Sequence, residues 1–147
     1  MIVEAILPVA RERLITLGDR ASLVDAARLL RDVEVDIVVV RKADETLAGV
    51  ITKTDVVRQI SHCQGASCMA AASAVMTKAV VYCRPNDLLS DVWSRMKERH
   101  LKNVPILDPG SRPIGVLNAR DALEALLGEL EYQEVLLRDY VMCVGYH

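Results

Sequence analysis

Two kinds of stretch in this chain carry residue types that do chemistry. Residues 62–68 read His-Cys-Gln-Gly-Ala-Ser-Cys, which puts His62, Cys63 and Cys68 in one short window. Structural zinc sites take four such ligands, usually as two spaced pairs. Here the other candidates, Cys83, His100 and Cys143, lie well downstream, and no second pair stands near. A Cys-x-x-Cys redox motif is absent. A catalytic thiol needs a base oriented by a third group, a geometry that sequence neighbours such as His62 and Cys63 rarely supply. The expectation is no metal, with Cys63 and Cys68 as reduced residues of a connector whose Gly65, Ala66 and Ser67 suit a turn. A regulatory thiol on an exposed loop is the alternative.

The second kind occurs twice. Gly49-Val50-Ile51 runs into Thr52-Lys53-Thr54-Asp55, and Gly115-Val116-Leu117 runs into Asn118-Ala119-Arg120-Asp121. Thr52 and Asn118 suit a helix N-cap, where a side-chain oxygen accepts from free N–H groups of the first turn. Asp55 stands three residues after Thr52, the spacing of a capping box. The same geometry suits a ligand. Free N–H groups at a helix start bind phosphate. A carboxylate there accepts from both hydroxyls of a ribose, and Lys53 or Arg120 offsets phosphate charge. An empty cap and a nucleoside phosphate site both fit the spacing.

The elements that position these residues come from an internal repeat. A shift of 66 (89 − 23) places Leu23 on Leu89, Asp25 on Asp91, Val38 on Val104, Gly49 on Gly115 and Asp55 on Asp121, with no gap. Leu23, Ala26, Ala27 and Leu30 make the apolar stripe of an amphipathic helix, matched by Leu89, Val92, Trp93 and Met96. The β-branched runs Ile37–Val40 and Val104–Leu107 read as strands. Turns at Lys42–Glu45 and Asp108–Pro113 lead to second strands, Leu47–Ile51 and Ile114–Leu117, and then to second helices. A short strand is expected before each first helix, at Leu14–Leu17 and at Val80–Cys83. Each copy thus reads β-α-β-β-α. The expected fold is α/β, two such repeats packed sheet to sheet with pseudo-twofold symmetry. The expected division is repeat 8–61, connector 62–74, repeat 75–127 and a helical extension and tail over 128–147. Within the connector, Met69–Ala74 reads as a helical turn packing under the second copy.

Composition narrows the partners. The chain has 147 residues, a net charge of −2, no Phe and one Trp, so its core is aliphatic. The mixed charge argues against nucleic acid. No apolar run approaches the ~18 residues of a membrane span. The N-terminus has no basic leader, carries Glu4 and is broken by Pro8. A cytoplasmic protein with reduced thiols is expected. The segment Leu123–Val144 reads as a long helix, lying on its own domain or contacting a partner, and Tyr140–His147 is expected to dock.

Taken together, the two β-α-β-β-α copies, the phrases Val75-Met76-Thr77 and Val104-Pro105-Ile106-Leu107-Asp108, and the Gly-Val-Ile-Thr-x-x-Asp phrase resemble a tandem cystathionine-β-synthase (CBS) domain pair over about residues 8–127. The resemblance implies a non-catalytic regulatory module and a flat homodimer. It implies an adenosine ligand (AMP, ADP or ATP, or else NAD or S-adenosylmethionine) in clefts between the repeats, and a separate protein partner. By family pattern Asp55 and Asp121 hold ribose and Thr52 contacts ribose or phosphate, with Asn118 at the equivalent place in the second copy and Lys53 and Arg120 as the basic neighbours. Ile37, Val38 and Val39, and Asn103, Val104 and Pro105, flank the base. Thr16, Met76, Thr77 and Val81 contribute from the start of each copy. Asn118 replaces the usual Thr and Val39 the usual Pro. A partner-binding scaffold with empty clefts, or a redox sensor through Cys63 and Cys68, are the other readings.

Overall fold

The computed structural model describes residues 1–61 and 70–145, with side chains through residue 140. The stretch around Cys63 and Cys68 lies outside the described residues. The two predicted first helices form as α2 (Leu23–Leu30) and α5 (Leu89–Glu98), each burying three residues of its predicted stripe, with Ala27 and Trp93 partly buried. Ser22 caps α2 in a reciprocal box: its hydroxyl accepts from the Asp25 N–H, and Asp25 accepts from the Ser22 N–H. Such a cap is worth about 1 kcal/mol. The equivalent start of α5 has Leu88 and no side-chain cap.

The strands follow the repeat. β1 (Thr16–Gly18) runs parallel to β2 (Ile37–Arg41), which pairs antiparallel with β3 (Leu47–Thr52). In the second copy β4 (Asn103–Leu107) pairs antiparallel with β5 (Pro113–Asn118). Both hairpins carry an irregularity at equivalent places, Val40/Arg41 and Ile106/Leu107. Alternation sorts β2 between two cores. Val38 and Val40 face α2 and α3 (Lys53–Ser61), and Ile37 and Val39 meet Val116 of β5 between the repeats. Both faces are covered, so the run is continuously apolar.

The expected strand at Val80–Cys83 does not form. Cys83 makes one parallel bridge to Ile106, donating to the Pro105 carbonyl and accepting from the Leu107 N–H. In the first copy the edge continues on both sides, through Val39 N–H to Ile15 O (2.8 Å) and Asp19 N–H to Arg41 O (2.9 Å). The positions 66 residues on from Val39 and Asp19 are Pro105 and Pro85. Neither has an N–H to donate, so the ladder stops after one residue.

The lead-ins cross over. α1 (Leu7–Arg13) packs on β5, and Val3, Leu7 and Ala10 sit in the core of the second copy. Pro8 does not break the chain. It occupies the first turn of α1, where its missing N–H and fixed φ suit a helix start. Reciprocally, α4 (Ala72–Val75) packs on β3, and Ala72, Val75 and Met76 join the core of the first copy. The predicted turn near residue 72 therefore packs under the first copy, not the second. Thr77 fixes this side by pairing both ways with Val50. Two glycines permit the crossings. A Cβ on Gly49 would lie 2.6 Å from the Thr77 carbonyl, and one on Gly115 would lie 3.1 Å from Ala10.

α6 (Ala119–Gly145) starts as predicted but does not lie along its own domain. Only its first turns pack, through Ala122, Ala125 and Leu126, and residues 130–140 are all exposed. Its 27 residues reach about 40 Å at 1.5 Å per residue, farther than a two-stranded sheet can cover.

Candidate functional site

The crossed lead-ins and the facing sheets leave two clefts related by the repeat. Cleft one, of about 460 Å³, is bounded by Thr52, Lys53 and Asp55 at the start of α3, with Ile37, Val50 and Thr77. His100, Leu101, Lys102 and Asn103 close it from the second copy. Cleft two lies on the other side of the sheet contact. It opens over Val9, Glu12, Arg13, Ile15 and Val116, faced by Glu34, Val35, Asp36 and Ile37 of the first copy. Asn118 and Arg120 at the start of α6 line its outer part. Each cleft is thus closed by the residues that enter the first sheet strand of the opposite repeat.

The helix starts behave as their sequences suggest, but not alike. In cleft one the capping box is complete. Oδ2 of Asp55 accepts from the Thr52 N–H (2.9 Å) and hydroxyl (3.1 Å), and the Thr52 oxygen accepts from the Asp55 N–H (3.3 Å). Oδ1 of Asp55 faces only Arg58, at 4.0 Å, among the described residues. In cleft two Asn118 caps α6, accepting from the Arg120 and Asp121 N–H groups, while its amide donates to Asn103. Asp121 is engaged elsewhere. The Arg13 guanidinium grips it with both arms, Nε on Oδ2 and Nη2 on Oδ1. This carboxylate, chiefly by accepting those hydrogen bonds, holds the Arg13 pKa above its ordinary value.

The remaining expected residues divide between lining and support. Ile37 and Asn103 border both clefts. Val38 and Val104 are wholly buried in their own cores, and Val39 fills the contact between sheets. Pro105 is buried, with its carbonyl spent on Cys83. Met76 packs against the core of the first copy beside Gly49. Thr16 is half-buried in β1, and its neighbour Ile15 lines cleft two. Val81 borders a separate groove with Tyr82, Arg84, Arg95 and Arg99. Lys53 reaches Asp36 at 3.8 Å, a largely exposed pair of small energetic value.

Sequence reasoning missed Arg13, Asp36, His100 and Lys102. The signal for two of them was present, since Asp36 and Lys102 are related by the shift of 66 and lie just before the predicted strands, one residue before Ile37 and two before Val104. Arg13 had no such signal. Its counterpart 66 residues on is Ala79, so the repeat itself hides it. Of the thiols, Cys83 is buried, and burial pushes it up to about 12, which keeps it protonated and inert. No group of three or more metal-ligating side chains occurs among the described residues. No helix among them is long and apolar enough to cross a membrane.

Comparison with known proteins agrees with this geometry. A homoserine O-acetyltransferase of Methanohalobium evestigatum is 26% identical over 110 residues, covering 75% of this chain and 22% of that protein. This chain therefore spans about a fifth (22%) of the length of the curated relatives it matches. A CBS-domain containing protein of Agrobacterium tumefaciens superposes with a TM-score of 0.72 at 28% identity, covering 84% of this chain and 92% of that one. A CBS domain pair solved with 5-methylthioadenosine and S-adenosyl-L-methionine gives a TM-score of 0.71 at 20% identity, over 88% and 97% of the two chains. The CBS domain profile matches residues 3–62 and 72–128, each repeat together with its crossed lead-in. With both repeats matched, the chain belongs to the CBS domain family and is a tandem pair.

Proposed function

We propose that the chain is a non-catalytic regulatory module that binds an adenosine nucleotide of the AMP, ADP or ATP class, with cleft one as its site. The observation that carries this reading is the start of α3. Oδ1 of Asp55 accepts no hydrogen bond among the described residues while Oδ2 is anchored to its own cap, so an unused acceptor is held in place before a ligand arrives. The free N–H groups of the same helix turn suit phosphate. Lys53, His100 and Lys102 stand around the opening. Ile37 and Val50 offer apolar surface to a base. The solved pair with two adenosine compounds supports the adenosine part and keeps S-adenosylmethionine among the ligands to test.

In this reading the module acts in the cytoplasm, as a homodimer, on a separate protein partner. The exposed apolar residues of α6, Leu127, Leu130, Leu137 and Tyr140 among them, support a contact between copies. The direct test is a thermal-shift screen of the apo chain against AMP, ADP, ATP, NAD and S-adenosylmethionine. One or more should raise the Tm, because a ligand that binds only the folded state stabilises it. Melting unchanged by all of them at millimolar concentration would favour the scaffold reading with empty clefts.

A further inference from the structure

The two clefts are related by the repeat, yet their acceptor carboxylates are in different states. Both oxygens of Asp121 are taken, one by Nε and the other by Nη2 of Arg13 at 2.9 Å. A guanidinium fork matches a carboxylate in both geometry and charge. A ribose diol would have to displace that fork and replace a charged donor pair with neutral hydroxyls. Asp55 faces no such donor, because the equivalent of Arg13 is Ala79. Its Oδ1 has only Arg58 at 4.0 Å, from its own helix. The walls differ in the same sense. Glu12, Asp32, Glu34 and Asp36 line cleft two with Arg13, which is spent on Asp121, and its further cations, Lys102 and Arg120, stand only at the outer part. Cleft one sets Lys53, His100 and Lys102 beside Asp36 and Asp55.

We propose that Arg13 occupies cleft two as a tethered substitute for a ligand, so that the chain takes one adenosine nucleotide, in cleft one. The inference rests on the nucleotide reading above and goes beyond it by assigning stoichiometry to one side chain. Arg13 ends α1, so its placement is set by the packing of that helix on β5 rather than by the cleft it fills. It is 37% exposed at the side chain, against 15% for Asp121, so the fork closes the cleft from its mouth.

Native mass spectrometry with AMP and with ATP counts the sites. At a nucleotide concentration that just fills the wild-type site, the wild-type chain should take one nucleotide, the weakened Asp55→Ala site should stay largely empty, Arg13→Ala should take two, and the double variant one. Arg13→Gln keeps a single neutral donor beside Asp121 and so guards against loss of fold. It should also admit a second nucleotide, more weakly than Arg13→Ala. Two nucleotides on the wild type, or one on both Arg13 variants when folded, would overturn the role of Arg13 and leave cleft one standing. A wild type that binds none while Arg13→Ala binds one would keep the role of Arg13 and remove cleft one. No nucleotide on any variant would remove both.

Discussion

Asp55 and Asp121 occupy equivalent positions, and their surroundings decide what each can do. Replacing Asp55 with Ala removes a charged acceptor of ligand hydroxyls, worth about 1.5–3 kcal/mol, and so should weaken nucleotide binding by roughly 10- to 100-fold. Asp121→Ala should cost far less affinity, and calorimetry on the two variants ranks them. The sequence suggests the same order from Thr52 against the Asn118 departure, but it holds no sign of the Arg13 contact. Arg13 and Asp121 lie 108 positions apart, and no periodicity links them. Gly49 makes a prediction of packing. A Cβ there would meet the Thr77 carbonyl at 2.6 Å, so Gly49→Ala should destabilise by about 1–3 kcal/mol in urea unfolding. Cys83 makes one of pH. Its folded value is raised from 9.0 to about 12, so the unfolded chain loses the proton first. Its contribution is intact below about 9 and is lost as pH rises toward about 12. Urea midpoints should fall over that alkaline range, and less steeply in Cys83→Val.

At the scale of elements, apolar periodicity located both first helices and both hairpins, because burial fixes the face of each. It overreached at Val80–Cys83, where an apolar run was read as a strand. The prolines that end that ladder lie outside the run, at 85 and on the partner strand at 105. It also missed α1, where Pro8 was read as a break although it stands in a first turn. The cap of α2 is a local matter and gives a local prediction. Ser22→Ala should cost about 1 kcal/mol, seen as a lower urea midpoint with an unchanged slope. His100 ends α5 at φ 55, a left-handed conformation that Gly adopts without penalty. His100→Gly should therefore raise stability by about 1 kcal/mol, while removing one of the polar groups around cleft one.

In the whole molecule, the repeat made the sheet-to-sheet packing legible, since two sheets each with one open face must cover each other, whereas the clefts between them were implied by the family resemblance. The crossing of the lead-ins was not legible. A shift in sequence says which segments are alike, not which core each one enters. That crossing brings Arg13 to Asp121 and Thr77 to Val50, and the clefts become unequal because the counterpart of Arg13 is Ala79. The far part of α6 belongs to neither core. A chain ending at Gly128 should melt close to the full chain, yet lose its dimer in light scattering if α6 carries the contact between copies. The central claim, an adenosine nucleotide held at Asp55, is tested most directly by calorimetric titration of ATP and AMP into the apo chain and its Asp55→Ala variant. The account predicts saturable heat from at least one nucleotide with one site per chain, weakened at least tenfold by the substitution. Equal affinity in the two proteins would contradict it.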